Sequence, residues 1–171
     1  MPVKSWPAES TQARLGQVSG VTLDIHGNPV IFHRGNIVWN ARSFYSDNTY
    51  RGDRQKPIPV NTVLTLNSSG FVVNEWGSDF FFMPHMITVD RKNNFWMTDV
   101  ARHQVFMFGP YGGESHEPLI ELGEKFIPGS DEKHFCKPTS VAVAEDFFYI
   151  ADGYCNSRII KYKISYGEYV M

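Results

Sequence analysis

Three residues of this 171-residue chain have side chains suited to chemistry and lie where a strand gives way to a turn. His85 follows Pro84 and opens the apolar run Met86-Ile87-Thr88-Val89. An imidazole there is either a metal ligand or a satisfied structural residue, and one protein nitrogen does not hold zinc, which takes three or four ligands. Arg34 follows His33 and precedes Gly35 at a strand end. Its guanidinium fork can clamp a carboxylate through two bonds, or it forms a rim salt bridge. Tyr154 lies in Asp152-Gly153-Tyr154-Cys155-Asn156. A phenol there is a packed aromatic, or a general base if a nearby cation lowers its pKa. Asp99 and Asp152 recur at matching points, which reads as a structural turn role. His26, His103, His116 and His134 show no spacing that makes a site, and His103 reads as a turn residue.

The elements that hold these residues repeat. Phe81 to Asp90 alternates into a strand, Asp90 to Asn94 is a polar turn, and Phe95 to Asp99 returns. The same unit occurs at Ser19 to Arg34 and at Thr139 to Asp152, with Val21, Ile87 and Val141 equivalent, at steps of 66 and 54 residues. A strand-pair unit at about this period is the signature of a β-propeller blade. Gln104 to Phe108 and Arg158 to Tyr162 read as third strands, and Glu117 to Leu122 and Tyr166 to Met171 as fourth strands. In the first unit, Gly35 to Arg42 reads as a third strand, Ala41 to Pro59 as a long polar loop, Thr62 to Leu66 as a strand, and Phe71 to Trp76 as the outer strand. The expected architecture is all-β: one domain over 1–171, with blades at about 16–78, 79–124 and 136–171. Propellers close with about four to eight blades, so three blades read as part of a ring. The other option is a self-contained domain that closes by dimerisation.

The charge of −2 offers no basic field for nucleic acid. No apolar run approaches the length of a membrane span, and the first residues carry no apolar signal core. Two cysteines, Cys136 and Cys155, flank the third hairpin. They form either a bridge, because the two ends of a hairpin lie close together, or two reduced thiols. Asn67-Ser68-Ser69 is an N-glycosylation sequon.

Several strings are also specific. Gly16-Gln17-Val18-Ser19-Gly20-Val21, Val30 to Gly35, Thr98-Asp99-Val100-Ala101 with His103 to Phe106, Pro128 to Asp131, His134-Phe135-Cys136 and Asp152 to Ile159 closely resemble the peptidyl-α-hydroxyglycine α-amidating lyases. These form the second half of peptide-amidating monooxygenase in vertebrates and are often separate proteins in invertebrates. The resemblance runs from about Gly16 to Arg158. It implies a six-bladed propeller of the NHL type, of which this chain holds about three blades. It also implies cleavage of a peptide's C-terminal α-hydroxyglycine to the peptide amide and glyoxylate. By resemblance, His85 is one of three zinc histidines, Arg34 is the active-site arginine, and Tyr154 takes the substrate hydroxyl proton. Val21 and Ile87 supply backbone carbonyls to a structural calcium, and Cys136 and Cys155 form a family disulfide. The resemblance places the chain in the secretory pathway, as a granule-lumen or extracellular protein, with a monooxygenase acting upstream.

This sequence departs from the family pattern in lacking the other two zinc histidines and the calcium carboxylate, which lie in later blades. The chain alone is therefore expected to be inactive. The competing expectation is a non-catalytic NHL-repeat propeller that binds a protein or peptide on its rim, with Arg34, His85 and Tyr154 pointing to different faces.

Overall fold

The computed structural model describes residues 5–164 and the backbone of 168–170. Among the described residues, twelve strands form three four-stranded antiparallel sheets, each in chain order. The first sheet holds β1 (Val18–Leu23), β2 (Pro29–His33), β3 (Val63–Leu66) and β4 (Val72–Trp76). The second holds β5 (Pro84–Val89), β6 (Phe95–Asp99), β7 (Gln104–Phe108) and β8 (Ile120–Leu122). The third holds β9 (Ser140–Val143), β10 (Phe147–Asp152), β11 (Arg158–Lys163) and β12 (Glu168–Val170). Val21, Ile87 and Val141 lie on β1, β5 and β9, the first strand of each sheet. The fourth strand expected over Tyr166 to Met171 is represented by β12, and the remainder of that range lies outside the described residues.

The hydrophobic pattern stacks the sheets face to face. Val30, Phe32 and Val63 of the first sheet meet Phe81, Ile87, Phe95, Met97 and Phe106 in one buried cluster. The opposite face of the second sheet presents Trp96, Val105 and Met107 to Val141, Phe148, Ile150 and Ile160 of the third. Every residue of β6 and β7 is buried, because both faces of their sheet are covered. Trp96 packs against Phe148 with ring centroids 4.5 Å apart, and Phe32 meets Phe81 edge-on at 4.9 Å. Large apolar side chains buried this way stabilise by about 1.5–3 kcal/mol each. This is the radial order of a propeller, with three consecutive blades.

One expected strand is absent. Residues 35–42 do not pair: Gly35 takes φ +53°, and Ile37 N–H donates to the Arg34 carbonyl at 2.9 Å, which turns the chain away from β2. The third strand of the first sheet is instead β3, with Val63 opposite Phe32. The polar lead-in carries a short helix, α1 (Glu9–Gln12), anchored by Thr11 Oγ1 donating to the Gly70 carbonyl at 2.8 Å. Leu15 covers Ile31, Leu64 and Leu66 on the outer face of the first sheet.

Asp99 and Asp152 do the turn work expected of them. The Asp99 carboxylate is fully buried, and one oxygen accepts from the N–H groups of Phe82 (2.6 Å) and Met83 (3.0 Å). The other accepts from Ala101 (2.9 Å) and Arg102 (3.0 Å). Asp152 accepts from Cys136 N–H at 2.8 Å, Asn156 Nδ2 at 2.6 Å and Arg158 Nε at 3.0 Å. Each carboxylate thus ties the lead-in of a blade's first strand to the turn after its second.

Candidate functional site

Arg34, His85 and Tyr154 come from three different blades and meet at one end of the array. Arg34, just past β2, donates from Nε to the Pro84 carbonyl at 2.8 Å, reaching the residue that precedes His85. Its Nη1 donates to Gln17 Oε1 at 3.0 Å. His85, on β5, bonds through Nδ1 to the Thr139 carbonyl at 2.9 Å. A carbonyl only accepts, so Nδ1 carries the proton and Nε2 keeps its lone pair. Nε2 lies 3.1 Å from the Tyr154 hydroxyl, which donates to it. Tyr154 follows β10 and is 55% exposed.

Trp39 sits among all three. The Arg34 guanidinium lies 5.1 Å from its ring centroid, within cation–π range. Its ring is 5.6 Å from that of His85 and 5.3 Å from that of Tyr154. The backbone N–H of Trp39 donates to Gln17 Oε1 at 3.0 Å, so Gln17 holds both Trp39 and Arg34. The sequence reading placed Trp39 on a strand and missed it, along with Gln17 and Thr139. The available signal was an aromatic in a polar loop five residues after the arginine.

Burial lowers the pKa of His85, and the charge of Arg34 lowers it further, against the Thr139 bond and Asp99. The imidazole is therefore neutral near pH 7. Burial also lowers Arg34, opposed by its electrostatic attraction to the Tyr154 oxygen and to Asp99. It remains a cation, as arginine does in proteins.

The disulfide is present between Cys136 and Cys155, with Cα atoms 5.6 Å apart. It clips the segment carrying Tyr154 to the entry of β9. Val21 and Ile87 lie on neighbouring first strands, β1 and β5. In antiparallel pairs, bonded and non-bonded residue pairs alternate. Asp24 N–H donates to the Asn28 carbonyl and Asp90 N–H to the Asn94 carbonyl, at 3.0 Å each. Val21 opposite Ile31 and Ile87 opposite Met97 are therefore non-bonded pairs, with their carbonyls turned to the free inner edge. Gly20 lets these strands close up, since a Cβ there would come within 3.0 Å of Ile87 N. Asn67 lies apart from all of this, on the turn between β3 and β4, where Oδ1 accepts from Ser69 and Phe71 N–H at 3.0 Å.

The NHL repeat model matches residues 135–162, most of the third blade. Among solved structures, that of streptogramin B lyase superposes with a TM-score of 0.55 at 14% identity, covering 92% of this chain and 40% of that one. That likeness establishes the propeller fold. Over 162 residues, 94% of its length, the chain is 47% identical to peptidyl-α-hydroxyglycine α-amidating lyase 2 of Drosophila melanogaster. By sequence, the chain is homologous to the α-amidating lyases. It is also 45% identical over 169 residues to peptidyl-glycine α-amidating monooxygenase B of Xenopus laevis, covering 97% of this chain. The chain spans 39% of the length of the first relative and 19% of the second. Among the described residues, no three His, Cys, Asp or Glu side chains converge to hold a metal. His85 Nε2, which accepts from the Tyr154 hydroxyl, is the ring nitrogen at the site whose lone pair could serve a ligand.

Proposed function

We propose that the full-length protein containing this chain is a lyase that cleaves peptidyl-α-hydroxyglycine to peptide amide and glyoxylate, completing C-terminal amidation. The observation that carries this reading is the meeting of Arg34, His85 and Tyr154 around Trp39 at one end of the blades. The homologues' names support the same reaction.

The substrate offers a carboxylate, a hydroxyl and an amide nitrogen on one carbon. Arg34 pairs with the carboxylate, its guanidinium held by the Pro84 carbonyl, Gln17 and the Trp39 face. Tyr154 is the general base that takes the hydroxyl proton. As the C–O bond becomes a carbonyl, the C–N bond breaks and the nitrogen receives the proton that Tyr154 took, which leaves the amide and glyoxylate. Arg34 stabilises the negative charge that develops near Tyr154. His85 would hold zinc through Nε2, oriented by the Thr139 carbonyl as metal-binding histidines are by a second partner. A zinc ion held there would supply Lewis acidity toward the substrate oxygens. The Val21 and Ile87 carbonyls, turned to the inner edge, are the hard oxygen donors that calcium prefers, and calcium there would brace the strand carrying His85. One histidine and two carbonyls are incomplete sets, so these 171 residues alone are inactive.

The disulfide and the sequon on an exposed turn support passage through the secretory pathway, with Asn67 glycosylated. An enzyme that hydroxylates peptidyl-glycine, a monooxygenase, must act first.

Glyoxylate release from an N-acyl-α-hydroxyglycine tests the proposal. The full-length protein should turn over, the 171-residue chain should not, and Tyr154→Phe in the full-length protein should lower kcat by about 10²–10⁴-fold. No glyoxylate from the zinc-loaded full-length protein would sink the lyase reading and leave rim binding in its place.

A further inference from the structure

The long connection between β2 and β3 carries Trp39 into the site and also builds a cavity beside it. Residues of 36–52 and Met83 line a concavity of about 410 Å³, within the range of small-ligand sites. Its apolar lining is Ile37, Val38, Tyr50 and Met83, and Arg42 and Arg51 also line it. Continuity with the site is covalent on both walls: Ile37 and Val38 lead into Trp39, and Met83 leads through Pro84 into His85.

The cavity is built in advance of any ligand. Ser43 N–H donates to the Asn40 carbonyl and Arg51 N–H to the Ser43 carbonyl, both at 3.0 Å. Phe44 bridges Tyr50, whose ring stacks on Phe126 with centroids 6.3 Å apart. Gly52 lies against that ring, where a Cβ would collide with it at 2.2 Å. Arg51 lines the cavity, and its guanidinium rests 4.9 Å from the centre of the neighbouring Tyr45 ring.

We propose that this cavity receives the side chain of the residue preceding α-hydroxyglycine, and that it takes an apolar side chain in preference to a lysine or arginine. The proposal rests on the lyase reading. With the terminal carboxylate on Arg34, whose guanidinium lies 5.1 Å from the Trp39 ring centroid, the residue before it is placed on the Trp39 side of the site. The loop bearing Trp39 offers an apolar floor there, and its two arginines repel a cationic side chain.

The test uses the full-length protein and two ligands that cannot react, acetyl-Leu-Gly and acetyl-Lys-Gly, with binding followed by calorimetry. Their α-hydroxyglycine counterparts are assayed for glyoxylate in parallel. The leucine ligand should bind about tenfold more tightly, and the kcat/KM ratio should follow. Arg42→Glu with Arg51→Glu should remove or invert the preference. Val38→Asp, at a position 57% exposed and therefore safe for folding, should weaken the leucine ligand and strengthen the lysine one. Equal binding of the two ligands, binding of neither, or a preference untouched by these variants overturns the subsite. Glyoxylate release without discrimination retains the lyase and removes the subsite. Discrimination that follows the variants without glyoxylate retains the subsite and removes the lyase.

Discussion

At the scale of single residues, the buried histidines set how the protein responds to acid. His103 is fully buried, and its Nδ1 accepts from Lys137 N–H at 3.0 Å. Burial, with the charge of Lys137 added, lowers its pKa from 6.5 to about 4. A folded-state pKa below the unfolded value means that the unfolded chain binds the proton first as pH falls. The contribution is fully present above pH 6.5 and is lost on going down to about 4, on the order of 3 kcal/mol. Urea unfolding at pH 7, 5.5 and 4 should show this fall. His103→Asn, chosen because asparagine tolerates the φ of +57° at this position, should make it shallower. His33 and His85, also lowered by burial, leave a residual slope in the variant. The sequence reading took His103 for a turn residue, and its positive φ agrees. Its burial was not legible, because it comes from Phe44 and Lys137, distant in the chain.

At the scale of elements, the aspartate that ends the second strand of a blade decides whether the turn holds. Asp99→Ala would strand four buried N–H groups, those of Phe82, Met83, Ala101 and Arg102. We expect a loss of at least about 4 kcal/mol, read as a lower urea midpoint, because each unsatisfied buried donor costs about 1–3 kcal/mol. Asp99→Asn should cost less. Hairpins of this kind were legible because period-two alternation, a polar turn and a recurring aspartate are all local signals. The β2–β3 connection was not. Val38 and Trp39 look like strand residues, and only the turn at Gly35 and the bond from Trp39 N–H to Gln17 show that they form a loop. Arg34, His85 and Tyr154 stand out in the sequence as polar side chains at strand ends, and the structure brings them together, whereas the aromatic ring they share was not legible.

At the scale of the whole molecule, the middle blade is the most protected. Its β6 and β7 are buried along their whole length between two neighbours. The outer face of the first blade leaves Val21 68% exposed and that of the third leaves Ile159 77% exposed. Protection follows burial and contact density. Amide hydrogen exchange should therefore be slowest in residues 95–99 and 104–108 and faster in β1 and β9. Uniform protection across the three sheets would contradict this ordering. The radial stacking was readable from the repeat, while the loops crossing between blades were not, since they depend on contacts that no period encodes.

The covalent tie next to Tyr154 also governs timing. Thiols stay reduced until a polypeptide leaves the cytosol. A newly made chain would carry its phenol on an unfastened segment, anchored by side-chain bonds alone. Closing the bridge would lock that segment in place, so the position of Tyr154 would depend on the oxidation state of the cysteine beside it.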